Sequence, residues 1–186
     1  MAAGDCTADK NDQGWGKGAR PITAVSFKEA QSYIKFLEQH TNEAYRLPTE
    51  SEWEYAARAG TQTAFSFGDT ISTEQANFDG NGVYGNGTKG LSRKQTVEVG
   101  SFPANAFGLY DMHGNVWEWV QDCFVSTLSE TPKNGDARLQ ENCNDIVVRG
   151  GSFDYYPRAA RSSIRHYMRP EDQEIDLGFR VVRALD

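Results

Sequence analysis

Between Ser26 and His40 the apolar residues Ala30, Tyr33, Ile34 and Leu37 recur at helical spacing, which predicts an amphipathic helix over about 27–40. Ser26 with Glu29 three residues on forms a capping box that sets where this helix starts. Tyr45-Arg46-Leu47-Pro48 is short and extended, and Thr49-Glu50-Ser51-Glu52 is a second capping box. It opens a predicted helix through Trp53, Tyr55, Ala56 and Ala57 that stops at Gly60. From 61 to 100 apolar residues thin out and turn formers crowd in, as in Asp79-Gly80-Asn81-Gly82 and Gly85-Asn86-Gly87, so a long loop is expected. Alternation returns at 116–120, a predicted strand with Trp117 and Trp119 on one face and Glu118 on the other. The stretch 146–153 reads as strand, glycine turn and strand restart, and 177–183 as one alternating strand. Two helices, then loops, then short strands describe an α+β fold with much irregular structure.

Composition narrows this picture. A chain of 186 residues suits one domain that can bury its own core. A net charge of -7 without a Lys/Arg cluster argues against a nucleic-acid partner. No apolar run approaches the roughly 20 residues of a membrane span, and Met1-Ala2-Ala3-Gly4-Asp5-Cys6 does not resemble a signal peptide. The chain as given is expected to be soluble, with any targeting or surface attachment supplied upstream. Residues 1–20 are polar and Gly-rich, so the chain is expected to start inside a larger domain.

Candidate chemistry is sparse. The cysteines are Cys6, Cys123 and Cys143, an odd count that leaves at least one unpaired within the chain. For Cys123 and Cys143 two readings stand: a disulfide closing the polar excursion between them, worth about 3 kcal/mol, or two free thiols. Glu118 also carries two readings, a solvated face or a residue with a purpose. Asn77-Phe78-Asp79 sits where backbone carbonyls could hold a hard cation, against a loop that supports itself through Asx turns. Arg46 and Arg58 read as ordinary ion-pair residues.

Four motifs recur together in order: Arg46-Leu47-Pro48-Thr49-Glu50-Ser51-Glu52-Trp53-Glu54-Tyr55-Ala56-Ala57-Arg58, the stretch from Gly108 to Trp119, Arg149-Gly150-Gly151-Ser152-Phe153, and Gly178-Phe179-Arg180. Over about residues 14–184 this set resembles the formylglycine-generating-enzyme, or sulfatase-modifying-factor, domain family. The resemblance implies a variant of the C-type lectin fold, here lacking the family's N-terminal part. The family's formylglycine-generating enzymes hold copper through two cysteines shortly after the Arg-Gly-Gly-Ser motif. In this chain the segment from Asp154 to Arg161 contains no cysteine. Soft thiolates are what Cu(I) and a substrate thiol require, so no copper is expected and the chain reads as lacking that activity. The family's iron-dependent sulfoxide synthases add a histidine cluster, whereas His40, His113 and His166 are widely spaced.

A third class uses the scaffold for binding, and includes the variable proteins of diversity-generating retroelements. In these, adenine-templated mutagenesis rewrites surface residues between the Arg-Gly-Gly-Ser and Gly-Phe-Arg motifs. Here 24 residues run from Asp154 to Leu177, similar in length to that group. The resemblance makes Pro157, Arg158, Arg161, Ser162, Arg165 and Pro170 framework positions. It makes Asp154, Tyr155, Tyr156, Ala159, Ile164, His166, Tyr167, Met168, Asp172, Glu174 and Asp176 a ligand-binding set, with Gln173 and Ile175 among them. Met168, Gln173 and Glu174 depart from what adenine changes in an Asn codon yield. Tyrosines beside acidic residues suit a paratope, because each gives a large contact area at small entropic cost. Arg161, Arg165 and Arg180 are expected to form internal ion pairs.

The resemblance also implies a calcium site at Asp111, the carbonyls of Gly114 and Val116, and Glu118, a hard-oxygen set. A second would use Asn77 and the carbonyl of Phe78, but its aspartate falls near Leu91, which cannot ligate. The reading that follows is a non-catalytic domain binding a protein or other surface macromolecule. Its rival is a metal-dependent oxidoreductase or protein-modifying enzyme of the formylglycine-generating type.

Overall fold

A computed structural model describes residues 12–16, 18–127, 129 and 131–183; Cys6 lies outside the described residues. Helix α1 (Phe27–Thr41) begins at Ser26 with both halves of its capping box made, and ends at Asn42 in the left-handed conformation. Strand β1 (Tyr45–Arg46) leads to helix α2 (Glu50–Arg58), capped by Thr49 and Glu52 in the same reciprocal way and closed by Ala59. Both helices are therefore set by their local sequence.

Strand β2 (Trp117–Cys123) is the axis of the domain. It pairs antiparallel with β3 (Ile146–Arg149) and parallel with β5 (Leu177–Phe179), and β4 (His166–Met168) adds to the outer edge of β3. A separate two-stranded ribbon pairs β1 with β6 (Val182–Arg183). The predicted 177–183 strand is thus two strands in two sheets, parted at Arg180 and Val181. After β3 the strand does not restart: Gly150 and Gly151 take φ of +98° and +74°, and the chain turns away. A Cβ at Gly151 would lie 2.9 Å from the Ala160 backbone nitrogen, so this turn needs glycine for room as well as for φ.

Both faces of β2 are covered. Trp117 and Trp119 enter a core with Val25, Ile34, Leu47, Val148 and Leu177 on the α1 side. Val120 packs with Trp53, Ala57, Met112 and Val147 on the α2 side. A central strand buried on both faces accounts for its nearly unbroken burial. Glu118, on the α2 side, is consequently buried, and the solvated-face reading is overturned.

The 61–100 segment carries a small core of its own, Phe65, Ile71, Ala76 and Phe78, closed by Ala160 from the far end of the chain. It is tied to the stretch before β2 by a pair of buried amides. Asn77 Nδ2 donates to Asn115 Oδ1 at 3.1 Å, and the Asn115 backbone N–H donates to the Asn77 carbonyl at 2.7 Å. The long loop expected here therefore has an apolar core as well as polar contacts. Asp79 instead serves an Asx-type network, its Oδ1 accepting from the Asn81 backbone and side chain and from Ser92 Oγ. A disulfide joins Cys123 at the end of β2 to Cys143, closing the excursion between them. Among the described residues no helix is long and apolar enough to cross a membrane.

Candidate functional site

The segment between Ser152 and Leu177 is held from beneath by arginines. Arg149, fully buried, donates to the carbonyls of Ile164 and Ser162 (the latter at 2.9 Å) and to Glu54, with its guanidinium over the Trp53 ring. Arg165 grips Glu50 through two bonds of 2.6 and 2.8 Å and donates to the Val125 carbonyl at 2.7 Å. Bidentate guanidinium–carboxylate pairs fix direction as well as charge, so both arginines anchor the loop to α2. Arg180 likewise pairs internally, with Glu118. Arg161 departs from the expectation: it stacks over Tyr84, 5.5 Å from the ring centroid, and donates to the Arg158 carbonyl.

Behind the loop, His113 joins three segments. Its Nδ1 lies 2.7 Å from the Ala160 carbonyl, and its Nε2 accepts from the Ser66 backbone N–H at 3.0 Å. That pattern assigns the proton to Nδ1. Burial brings its pKa down to about 4, with the Ala160 contact opposing. Sequence reading left this residue unassigned, and only the fold brings its partners together.

The sequence-predicted ligand residues do not form one surface. Tyr155, Tyr156 and Tyr167 are exposed, as are Asp154 and Glu174. Asp172 is partly exposed and accepts from the Arg169 backbone N–H. Met168 is buried in the α1-side core and leaves the surface set, whereas Ala159 and Ile164 pack against that core while staying half-buried. Asp176 is also buried, bonded by Ser152 Oγ, and burial raises its pKa against that bond.

Strand β4 divides what remains. His166 faces the Trp117 side, its ring 5.3 Å from Trp117 and 6.1 Å from Tyr155. Tyr155 meets Trp117 edge-on at 5.3 Å. Tyr167 stands against Phe124 at 4.5 Å, and Phe124 lies beneath the Arg165 guanidinium. Neither Trp117 as the floor of the first patch nor Phe124 as the support of the second was singled out from sequence. The sign of Trp117 was its place in the alternation of β2; Phe124 gave none.

Of the residues of the implied calcium site, Asp111 and Glu118 are near enough to act on each other electrostatically, with Arg180 acting on both, and the Gly114 carbonyl accepts from the Val116 N–H at 3.0 Å. Glu118 accepts from Arg180 through bonds of 2.6 Å on each oxygen, and from Trp53 Nε1 at 2.6 Å. Asp111 Oδ2 accepts from the Gly100 N–H at 2.7 Å, while its Oδ1 is buried and lacks a donor. Desolvation raises the Asp111 pKa, an effect that Arg180 opposes and Glu118 reinforces. Asn77 Oδ1 is a second buried oxygen without a donor. Orphaned hard oxygens are what a divalent cation would satisfy, although Glu118 is already neutralised by Arg180. Leu91, where the second site needs an aspartate, is an exposed hydrophobe. Among the described residues no group of three or more His, Cys, Asp and Glu side chains clusters as a metal site. Copper does not fit: both described cysteines are spent in the disulfide, and none follows Ser152.

Comparisons with known proteins agree with this architecture. Residues 2–185 match the sulfatase-modifying factor enzyme 1-like domain. The formylglycine-generating enzyme of Mycobacterium tuberculosis is 39% identical over 112 residues, which is 56% of this chain and 34% of that protein. The structure of PvdO from Pseudomonas aeruginosa superimposes with a TM-score of 0.80 at 36% identity, covering 92% of this chain and 65% of that one. Treponema denticola variable protein 1 shares the fold at a TM-score of 0.74 and 23% identity, covering 90% and 72%. The chain spans from a quarter to about half the length of several curated relatives.

Proposed function

The chain belongs to the sulfatase-modifying factor enzyme 1-like domain family, and we propose that within it this domain is a non-catalytic binding module. Its binding face would be the two aromatic patches between Ser152 and Gly178, and its partner a protein or another surface macromolecule. One observation carries the reading: Tyr155, Tyr156 and Tyr167 stand exposed on a loop whose backbone is locked from beneath by Arg149 and Arg165. Large, stiff side chains on a preorganised frame reduce the entropy lost on binding. A frame independent of the exposed residues also tolerates their replacement, which supports a segment open to variation.

The rival, copper-dependent oxidation of a substrate cysteine, lacks its donors in this segment. Cu(I) titration with oxygen consumption on a cysteine-containing peptide separates the two. We expect neither tight Cu(I) binding nor turnover; either one, abolished when the bound copper is stripped, overturns the non-catalytic reading.

A structural calcium ion is the second part of the proposal. Asp111, the Gly114 and Val116 carbonyls and Glu118 would hold it, supported by the unsatisfied Asp111 Oδ1. Its contribution would be fixed positive charge that pins the turn before β2. Calcium content after chelation and reloading should fall in Asp111→Asn, which tolerates the left-handed φ of +57° there. Unchanged content refutes the site.

A further inference from the structure

The first aromatic patch has a chemical preference of its own. Trp117, Tyr155 and His166 form a triangle of rings with centroids 5.3–6.1 Å apart, Trp117 being its buried floor. Along one side runs the turn 170–176, Pro-Glu-Asp-Gln-Glu-Ile-Asp, which holds four carboxylates and no cation. Asp176, Glu174 and Asp154 lie near enough to Tyr155 to act on it electrostatically. Of these, Asp154 is partnered by Lys94 at 3.1 Å, whereas Glu174 has no side-chain partner among the described residues. Two of the four arginines of the segment are engaged elsewhere, Arg165 with Glu50 and Arg161 over Tyr84.

We propose that this patch is a cation-recognition site, and that its occupant is a lysine or arginine side chain of a protein partner. The inference rests on the binding-module reading and adds the class of group recognised. Aromatic faces attract a cation through their quadrupole, and nearby carboxylates with no cation of their own add to the attraction. His166 does not oppose this, since burial lowers its pKa and leaves the ring neutral near pH 7. The domain's net charge of -7 favours the same partner at long range.

The test is a nuclear magnetic resonance titration of the intact domain with a short capped peptide, Gly-Ser-Lys-Ser-Gly. Its norleucine counterpart and tetramethylammonium chloride serve as the comparison ligands. The Trp117 indole N–H and the His166 ring signals report on the site. The lysine peptide should shift both saturably and bind at least fivefold more tightly than the norleucine peptide. Glu174→Gln, an exposed substitution that leaves the core untouched, should weaken it at least threefold, and 0.5 M salt should do the same. Equal binding of the norleucine peptide, or no saturable shift at either ring, or indifference to Glu174→Gln overturns the cation site. Tighter binding of tetramethylammonium than of the peptide overturns the protein side chain as occupant. The binding-module reading is judged separately: a domain that still captures its partner through the tyrosines while failing here loses only this inference.

Discussion

Replacing Glu118 by alanine probes the join between β2, α2 and the last strands. Glu118 is 5% exposed and its carboxylate accepts three hydrogen bonds, two from Arg180 and one from Trp53, while the nearby Asp111 charge repels it. Breaking a buried ion pair by removing one partner costs about 3–5 kcal/mol. Arg180 keeps 27% side-chain exposure and regains part of its hydration, which puts this case near the lower end. The Trp53 N–H, left buried without an acceptor, adds about 1–2 kcal/mol. Alanine should therefore cost about 4–5 kcal/mol, a large share of the roughly 5–15 kcal/mol typical of a domain. Glutamine keeps an acceptor for Trp53 and loses the charge, and should cost about 2 kcal/mol. Urea unfolding monitored by tryptophan fluorescence reads both from the midpoint at constant slope. A cycle with Arg180→Met isolates the pair. An alanine loss below about 1 kcal/mol, or no coupling to Arg180, would show that the ion pair does not hold the hub.

Two further outcomes follow from single contacts. Reduction of Cys123–Cys143, which opens a loop of sequence separation 20, should lower stability by about 3 kcal/mol, and unchanged stability on reduction contradicts the closure. His113 binds its proton in the unfolded chain near pH 6.5 but in the folded one only near 4, so its contribution is present above pH 6.5 and lost as pH falls toward 4. That contribution is about 3 kcal/mol, and stability measured across pH 4–7 should flatten in His113→Gln.

What was legible in the sequence was local. The capping boxes at Ser26 and Thr49 lie within four residues of the turns they set, and both helices begin where they indicate. Alternation in β2 separated Trp117 and Trp119 from Glu118 correctly, yet alternation cannot say whether the second face is covered. That depends on Trp53, far upstream, packing across it. The core beneath 61–100 escaped for a similar reason: Phe65, Ile71, Ala76 and Phe78 have no common period and are completed by Ala160. In the loop after Gly151 the residue types suggested a surface. The pairing of β4 with β3 decided which of them reach it, sending Met168 inward and leaving Tyr167 out.

The central claim is that the exposed tyrosines bind and the frame beneath them folds without their help. The most direct measurement is partner capture from a surface-protein extract by the intact domain and by its Tyr155→Ala, Tyr156→Ala, Tyr167→Ala variant, with thermal unfolding of both recorded alongside. The account predicts that capture is lost while the variant still unfolds cooperatively. Capture retained by the folded variant contradicts it, and so does a variant that fails to fold, because the tyrosines would then belong to the core.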